Sequence, residues 1–274
     1  MTPWLELQRG QAPLIITFPH TGTDIPSGLS DRFVSPWLAC KDTDWWVHRL
    51  YDMARDLQAT TIRTRLSRSV IDVNRDPSGA SLYPGQATTE LCPLTTFDGE
   101  QLYGAGAAPN GDEIAERRLN YFTPYHEAVR SELERLTAIH GQVVLYDAHS
   151  IRSRVPRLFA GELPHLNIGT NKGASCAARL TQAVESAAEH PHFRRVINGR
   201  FIGGWTTRHY GRPQAGIHAM QMELACRGYL DEPPVLSEDN WPPAYTPARA
   251  RPLRELLTRV LQACIDFARS PRRS

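Results

Sequence analysis

Hydrophobic and polar positions along the chain alternate between two periods. Leu14 to Phe18 (LIITF) is a β-branched run that stops at Pro19-His20, the pattern of a buried strand ending in a loop. Val47, Leu50, Tyr51, Ala54 and Leu57 then recur at helical spacing, which predicts a helix with Asp42 or Thr43 as its cap. Residues 60–65 and 69–73 read as strands. Between 76 and 112 neither period holds and Gly, Pro, Thr and Ser dominate; loops of that length are functional or disordered. A long helix is expected over 114–139, interrupted near Pro124. A second buried strand over 142–146 runs into Asp147-Ala148-His149-Ser150. Further on, the pattern predicts a helix over 174–188, strands at 195–197 and 219–224, and a closing amphipathic helix over 251–269. Strands alternating with helices imply an α/β fold with a mixed, largely parallel sheet. With no repeat, linker or shift of composition, residues 1–274 read as one domain.

Composition narrows the function. The 274 residues carry 31 Lys plus Arg against 29 Asp plus Glu, a formal charge of +2. So even a balance argues against a protein that works by neutralising the phosphates of nucleic acid or a membrane surface. Lysine occurs only at 41 and 172, and arginine is spread along the whole chain, as a compositional bias would spread it. The five cysteines stand far apart without a CxxC pair, which excludes a disulfide framework and a cysteine zinc knuckle. The first residues lack the basic lead and apolar length of a signal peptide, and no apolar run approaches a membrane span. A soluble, cytoplasmic protein is expected, its basic tail (270–274) solvated.

Two histidines follow strands directly: His20 in FPHTG and His149 in YDAHS. Ligands of open α/β sheets collect at the carboxyl ends of strands, so two chain segments can aim imidazoles at one metal ion. A carboxylate should complete the set, and Asp24 and Asp44 compete for it. Pro26 disfavours a helix that would bring Asp24 onto the face of His20. Asp44 falls on the inward face of its predicted helix, where a carboxylate needs a pairing partner or a cation, and is the better candidate. Asp42 reads as a cap. The stretch from Ser67 to Pro77 sets Arg68, Asp72, Asn74 and Arg75 around a β-branched core; guanidinium forks suit a carboxylate or an oxyanion, or simply pair with Asp72. Gly203 to Gly211 (GGWTTRHYG) allows close approach of a ligand or is an ordinary loop. Glu223, in an otherwise apolar strand end, either pairs with Arg227 or acts as a general base.

Taken in order, FPHTG, DTDWWVHRLYD, SRSVIDVNRDPSG, LYDAHSIRS, GGWTTRHYG and QMELACRGYL resemble the N-formylglutamate amidohydrolases over residues 14–230. That family lies in the zinc exopeptidase-like superfamily, so the resemblance implies a three-layer α/β/α fold like that of zinc carboxypeptidases. Asp72-Val73-Asn74-Arg75 looks like the Asp-x-Asn-Arg of aspartoacylases, whose Asn-Arg pair receives the substrate carboxylate. Asp147-Ala148-His149-Ser150 looks like the strand end that supplies a zinc ligand in metallocarboxypeptidases. The usual His-x-x-Glu of those peptidases is absent, since Thr23 stands three after His20. The resemblance implies one divalent metal ion, zinc, on His20, Asp44 and His149. It also implies Glu223 as general base, Arg68 at the oxyanion, and Asn74, Arg75 and Arg208 on the carboxylates. The implied reaction releases glutamate and formate from N-formylglutamate, a closing step of histidine degradation. A zinc deacylase or carboxypeptidase acting on another N-acyl amino acid is the alternative within enzymes. A metal-free carboxylate-binding protein is the alternative outside them, and it would need no base at 223.

Overall fold

The computed structural model describes residues 4–82, 85 and 88–271. Among them, seven strands form one sheet: β1 (Leu5–Gln8), β2 (Leu14–Phe18), β3 (Thr60–Thr64), β4 (Val143–Ile151), β5 (Leu166–Gly169), β6 (Arg195–Ile197) and β7 (Ile217–Ala225). Their order is β1-β3-β2-β4-β7-β5-β6. The centre, β3-β2-β4-β7, is parallel, β5 and β6 are parallel to each other, β1 joins β3 antiparallel and β5 joins β7 antiparallel. The mixed, largely parallel sheet is the expected one. Every residue of β2 and β4 is buried, which explains the apolar runs at Leu14–Phe18 and 143–146; β4 continues through Asp147 and His149 to Ile151, so His149 lies on the strand and not after it.

Helices cover both faces. The short α1 (Ser27–Ser30), α2 (Pro36–Cys40) and α3 (Val47–Leu50) precede β3; α4 (Gly111–Arg117) and α5 (Thr123–His140) precede β4. The remaining helices are α6 (Ala178–Ala187), α7 (Trp205–Tyr210) and α8 (Pro247–Arg269). Alternation along the strands splits the core into two layers. Leu14, Ile16, Val144, Tyr146, Met220 and Met222 pack with α3, α6 and α8; Ile15, Val143, Leu145 and Ala219 pack on the other face with α5. No described helix is long and apolar enough to cross a membrane.

The structure departs from the sequence reading in places that matter for the site. Residues 69–73 are not a strand. The Ser67 hydroxyl accepts from the Ser69 N–H at 3.1 Å, and the Asp72 carboxylate accepts from the Asn74 N–H at 2.9 Å. Side chains thus take amides that a sheet ladder would need, while Val70, Ile71 and Val73 stay buried. The helix expected from residue 47 onward is only α3 followed by a 3-10 turn, Asp52–Ala54. Its entry residue, Trp46, has φ 62°, so Asp44 lies in the turn ahead of the helix and not on its inward face. Asp42 does not cap that helix: its carboxylate accepts from the Phe97 N–H at 2.6 Å and meets Arg152. The long helix is continuous across Pro124 because a π turn, Arg118–Phe122, precedes it, and Gly141 at φ 73° ends it. Strands β1 and β5 and helix α7 were not expected. Of the basic tail, residues 272–274 lie outside the described residues.

Candidate active site

Strand alternation builds the site in rows. Thr17, Asp147 and Gln221 stand side by side on β2, β4 and β7; one pleat further, His149 pairs in register with Glu223. His20 follows β2 by two residues, and the Asp44 N–H donates to the His20 carbonyl at 2.9 Å, which ties the turn before α3 to the same strand end. The sheet itself therefore brings the groups together.

At the centre, three ligand-type atoms converge. His149 Nδ1 lies 3.1 Å from His20 Nδ1 and 3.1 Å from Asp44 Oδ2, and His20 Nδ1 is 3.6 Å from that same oxygen. Ligands about 2.0–2.1 Å from a tetrahedral ion stand about 3.3 Å from one another, so these spacings fit a shared cation. The outer nitrogens are both engaged by carboxylates. His20 Nε2 donates to Asp72 Oδ1 at 2.7 Å, and His149 Nε2 donates to Asp147 Oδ2 at 2.8 Å. Those bonds turn both Nδ1 atoms inward toward Asp44, where the three atoms need a proton or a metal cation between them. Asp44 Oδ1 is buried without a hydrogen-bond partner, with Arg68 Nη1 at 3.6 Å. An orphaned oxygen in a buried carboxylate is the second sign that the cluster is made for a cation. All three residues are buried.

The supporting carboxylates are themselves held. Asp147 accepts from Thr17 Oγ1 at 2.7 Å and from Asn74 Nδ2 at 2.9 Å; Asp72 accepts from Arg68 Nη2 at 2.7 Å. Asn74 also accepts from the Thr206 N–H at 2.8 Å, and a Cβ on Gly204 would stand 2.5 Å from the Asn74 amide, so only glycine fits there. Burial opposes the Asp44 charge, yet hydrogen bonds from His149 and His20 hold its carboxyl below the usual range. Burial likewise opposes a charged His149, but Asp147 and Asp44 raise its pKa well above the ordinary value. Both shifts describe a pocket that favours positive charge at its centre.

Glu223 stands beside this centre. Burial, with the Asp44 charge adding to it against His149, pushes its carboxyl up to about 7. Its Oε2 accepts from Gln221 Nε2 at 2.8 Å, and Gln221 is fixed in turn by the Gly204 N–H at 2.7 Å. Arg227 is not its partner: that guanidinium pairs with Glu162 at 3.3 Å. A cavity of about 70 Å³ opens over the centre, with Glu223, Arg68 and Arg75 in its wall.

Residues 12–230 match the family of N-formylglutamate amidohydrolases. The chain belongs to this family. It is 44% identical over 269 residues to an N-formylglutamate deformylase of Pseudomonas aeruginosa, with 97% of each chain covered. A Pseudomonas putida protein of the same name is 42% identical over 264 residues, with 96% of each covered. A crystal structure of an N-formylglutamate amidohydrolase from Ralstonia eutropha superposes with a TM-score of 0.78 at 20% identity, covering 97% of this chain and 98% of that one. A gene product of Agrobacterium tumefaciens superposes at 0.68 and 17% identity, with 95% of each covered. At these identities the two structures bear on the fold, which they share with this chain.

The residues singled out from the sequence separate in the fold. His20, Asp44, His149 and Glu223 meet at the centre. Asp24, the competing carboxylate, is 45% exposed and pairs with Arg65 at 3.0 Å, away from the cluster. Arg68 lies under the cavity, stacked 4.8 Å from Phe97. Asn74 and Arg75 line the cavity, but the polar atoms of the Asn74 amide face Asp147 and Thr206, and Arg75 donates to the Thr89 carbonyl at 3.1 Å and to its hydroxyl at 3.0 Å. Arg208 turns to the carbonyls of Gly203 and Leu82 and does not line the cavity. The sequence reading offered Asp72 as the partner of an arginine, as Arg68 is at 2.7 Å, but did not place it behind His20, and it gave no role to Asp147 behind His149 or to Gln221 behind Glu223. Two of these could have been found by stepping back two residues along a strand from His149 and Glu223, onto the same face.

Proposed function

We propose that the chain, acting as one catalytic domain over residues 1–274, hydrolyses N-formyl-L-glutamate to L-glutamate and formate, and does so with one divalent metal ion. The observation that carries this reading is the convergence of two imidazole Nδ1 atoms and one buried carboxylate beside Glu223. Two imidazoles and one carboxylate form a donor set that zinc takes in catalytic sites, with a fourth position left for water or substrate. When bound by His20, Asp44 and His149, the ion supplies Lewis acidity toward the formyl oxygen and toward water.

The chain's own residues do the rest. Glu223 takes the proton of the attacking water and returns it to the glutamate nitrogen as the C–N bond breaks. Burial raises this carboxyl above the usual range, which suits proton transfer in both directions. Gln221 holds one oxygen of that carboxylate in place. Arg68, its fork oriented by Asp72 and the Phe97 ring, offers positive charge to the developing oxyanion. Arg75 takes a substrate carboxylate. The two relatives' names support the substrate, and histidine degradation in the cytoplasm is the setting this activity suits.

The test is a panel of N-formyl-Glu, N-formyl-Asp, N-formyl-Gln and N-acetyl-Glu, with formate or acetate release measured. N-formyl-Glu should be turned over fastest. Preference for the acetyl compound would make the protein a deacylase of another class.

A further inference from the structure

N-formylglutamate carries two carboxylates, one on the carbon next to the scissile amide and one two methylenes further out. Among the described residues, three guanidinium groups line the cavity: Arg68, Arg75 and Arg200. Arg68 is bound to Asp72 at 2.7 Å with Asp44 at 3.6 Å, which holds it beside the reacting centre, where the function proposed above gives it the oxyanion. Arg75 is joined through Asn74 to the His149 support and has Asp72 at 3.5 Å, which sets it at the reacting end of the cavity.

Arg200 reaches the same cavity from the segment after β6. Ile151 lies two residues beyond His149 on the same face of β4, and it belongs to an apolar cluster that extends to Leu158 and Phe201. Arg200 donates from Nε to the Leu158 carbonyl at 2.9 Å, and its guanidinium lies 5.3 Å from the centre of the Phe201 ring. From the centre outward the wall therefore runs imidazole, aliphatic and aromatic surface, then guanidinium. This is the order of a glutamate side chain: a reacting amide, two methylenes, a carboxylate. Resting on the function proposed above, we infer that Arg200 forms the subsite for the γ-carboxylate of the substrate, and that the preference for glutamate over glutamine is set there. The carbonyl and the ring fix the plane of the fork, which favours bidentate contact with a carboxylate. Arg208 is not part of this subsite.

The experiment compares N-formyl-Glu with N-formyl-Gln in the wild type, Arg200→Gln and Arg75→Gln, with kcat/KM from formate release. Arg200→Gln should lower kcat/KM for N-formyl-Glu by about 30-fold or more and leave N-formyl-Gln nearly unchanged, so that the preference collapses. Arg75→Gln should lower both substrates alike, since both carry the α-carboxylate. Equal losses in Arg200→Gln, or no loss with N-formyl-Glu, overturn the subsite. Arg200→Lys keeps the charge without the fork and serves if the Gln variant melts early. It should retain part of the preference, and equal losses there overturn the proposal too. A wild type inert toward N-formyl-Glu overturns the underlying function, and the subsite with it.

Discussion

Replacing Asp147 with asparagine removes one charge behind His149 with almost no change of shape. In the native site Asp147 Oδ2 accepts from His149 Nε2 at 2.8 Å and from Asn74 Nδ2 at 2.9 Å, while Oδ1 accepts from Thr17 Oγ1 at 2.7 Å. Asparagine offers one oxygen and one NH₂ group to those three donors. With NH₂ toward His149 it meets an N–H; with NH₂ toward Thr17 the hydroxyl must reverse and donate elsewhere, and the Tyr146 carbonyl lies 3.5 Å away for that. The second arrangement costs about one net hydrogen bond, roughly 1 kcal/mol. A shift of that size lowers the melting temperature by about 2–4 °C, and in the metal-free protein the lost attraction to a charged His149 adds to it. The imidazole, however, loses the charge that makes it a strong donor. Removing such a supporting carboxylate typically weakens metal binding by about 10–100-fold, or about 1.4–2.7 kcal/mol. Competition against a zinc chelator measures this directly, with the metal-free melting temperature as the control. Wild-type zinc affinity in Asp147→Asn would refute the reasoning and reduce Asp147 to a core hydrogen-bonding group.

Three further outcomes follow from the same geometry. Asp44→Ala should strip the metal and the activity while Asp24→Ala leaves both intact, as metal analysis of the two purified variants will tell; loss of metal in the Asp24 variant alone would reverse the assignment. Glu223→Gln should keep the metal and the fold and slow turnover by about 10²- to 10⁴-fold, and a variant that turns over normally would remove Glu223 from the mechanism. His126 is buried in the fold, where Nε2 donates to the Val73 carbonyl at 2.8 Å, and burial pushes its pKa down to about 3 from 6.5. The unfolded chain therefore binds the proton first, so His126 contributes stability that is complete above about pH 6.5 and is lost as pH falls toward 3, at roughly 1.4 kcal/mol per unit at most. Urea unfolding at pH 7.5 and pH 5 should show a shallower pH dependence in His126→Gln, and an identical dependence would count against this account.

The central strands, the long helix before β4 and the closing helix were legible because each buries a face that the side-chain period exposes. Both histidines and Glu223 were legible for a related reason: polar groups at the ends of apolar strands stand out against their surroundings. Asp44 was named correctly as a buried carboxylate but placed on a helix face, because nothing local announces that Trp46 takes a left-handed backbone conformation. The stretch around Asp72 reads as a strand by its β-branched residues. What makes it a turn is the competition of Ser67 and Asp72 side chains for backbone amides, together with a histidine fifty-two residues away that needs the carboxylate. Arg200 carried no signal at all, since its role depends on a loop and a strand that meet only in the fold.

Formate release from metal-depleted protein, followed as zinc is added back, tests the central claim most directly. Metal-free enzyme should be inactive, and its turnover of N-formylglutamate should rise linearly and level off at one equivalent of zinc per chain. His149→Ala should show no such rise at that concentration. Full activity without metal, or a plateau reached only at two equivalents, would contradict a single ion held by His20, Asp44 and His149.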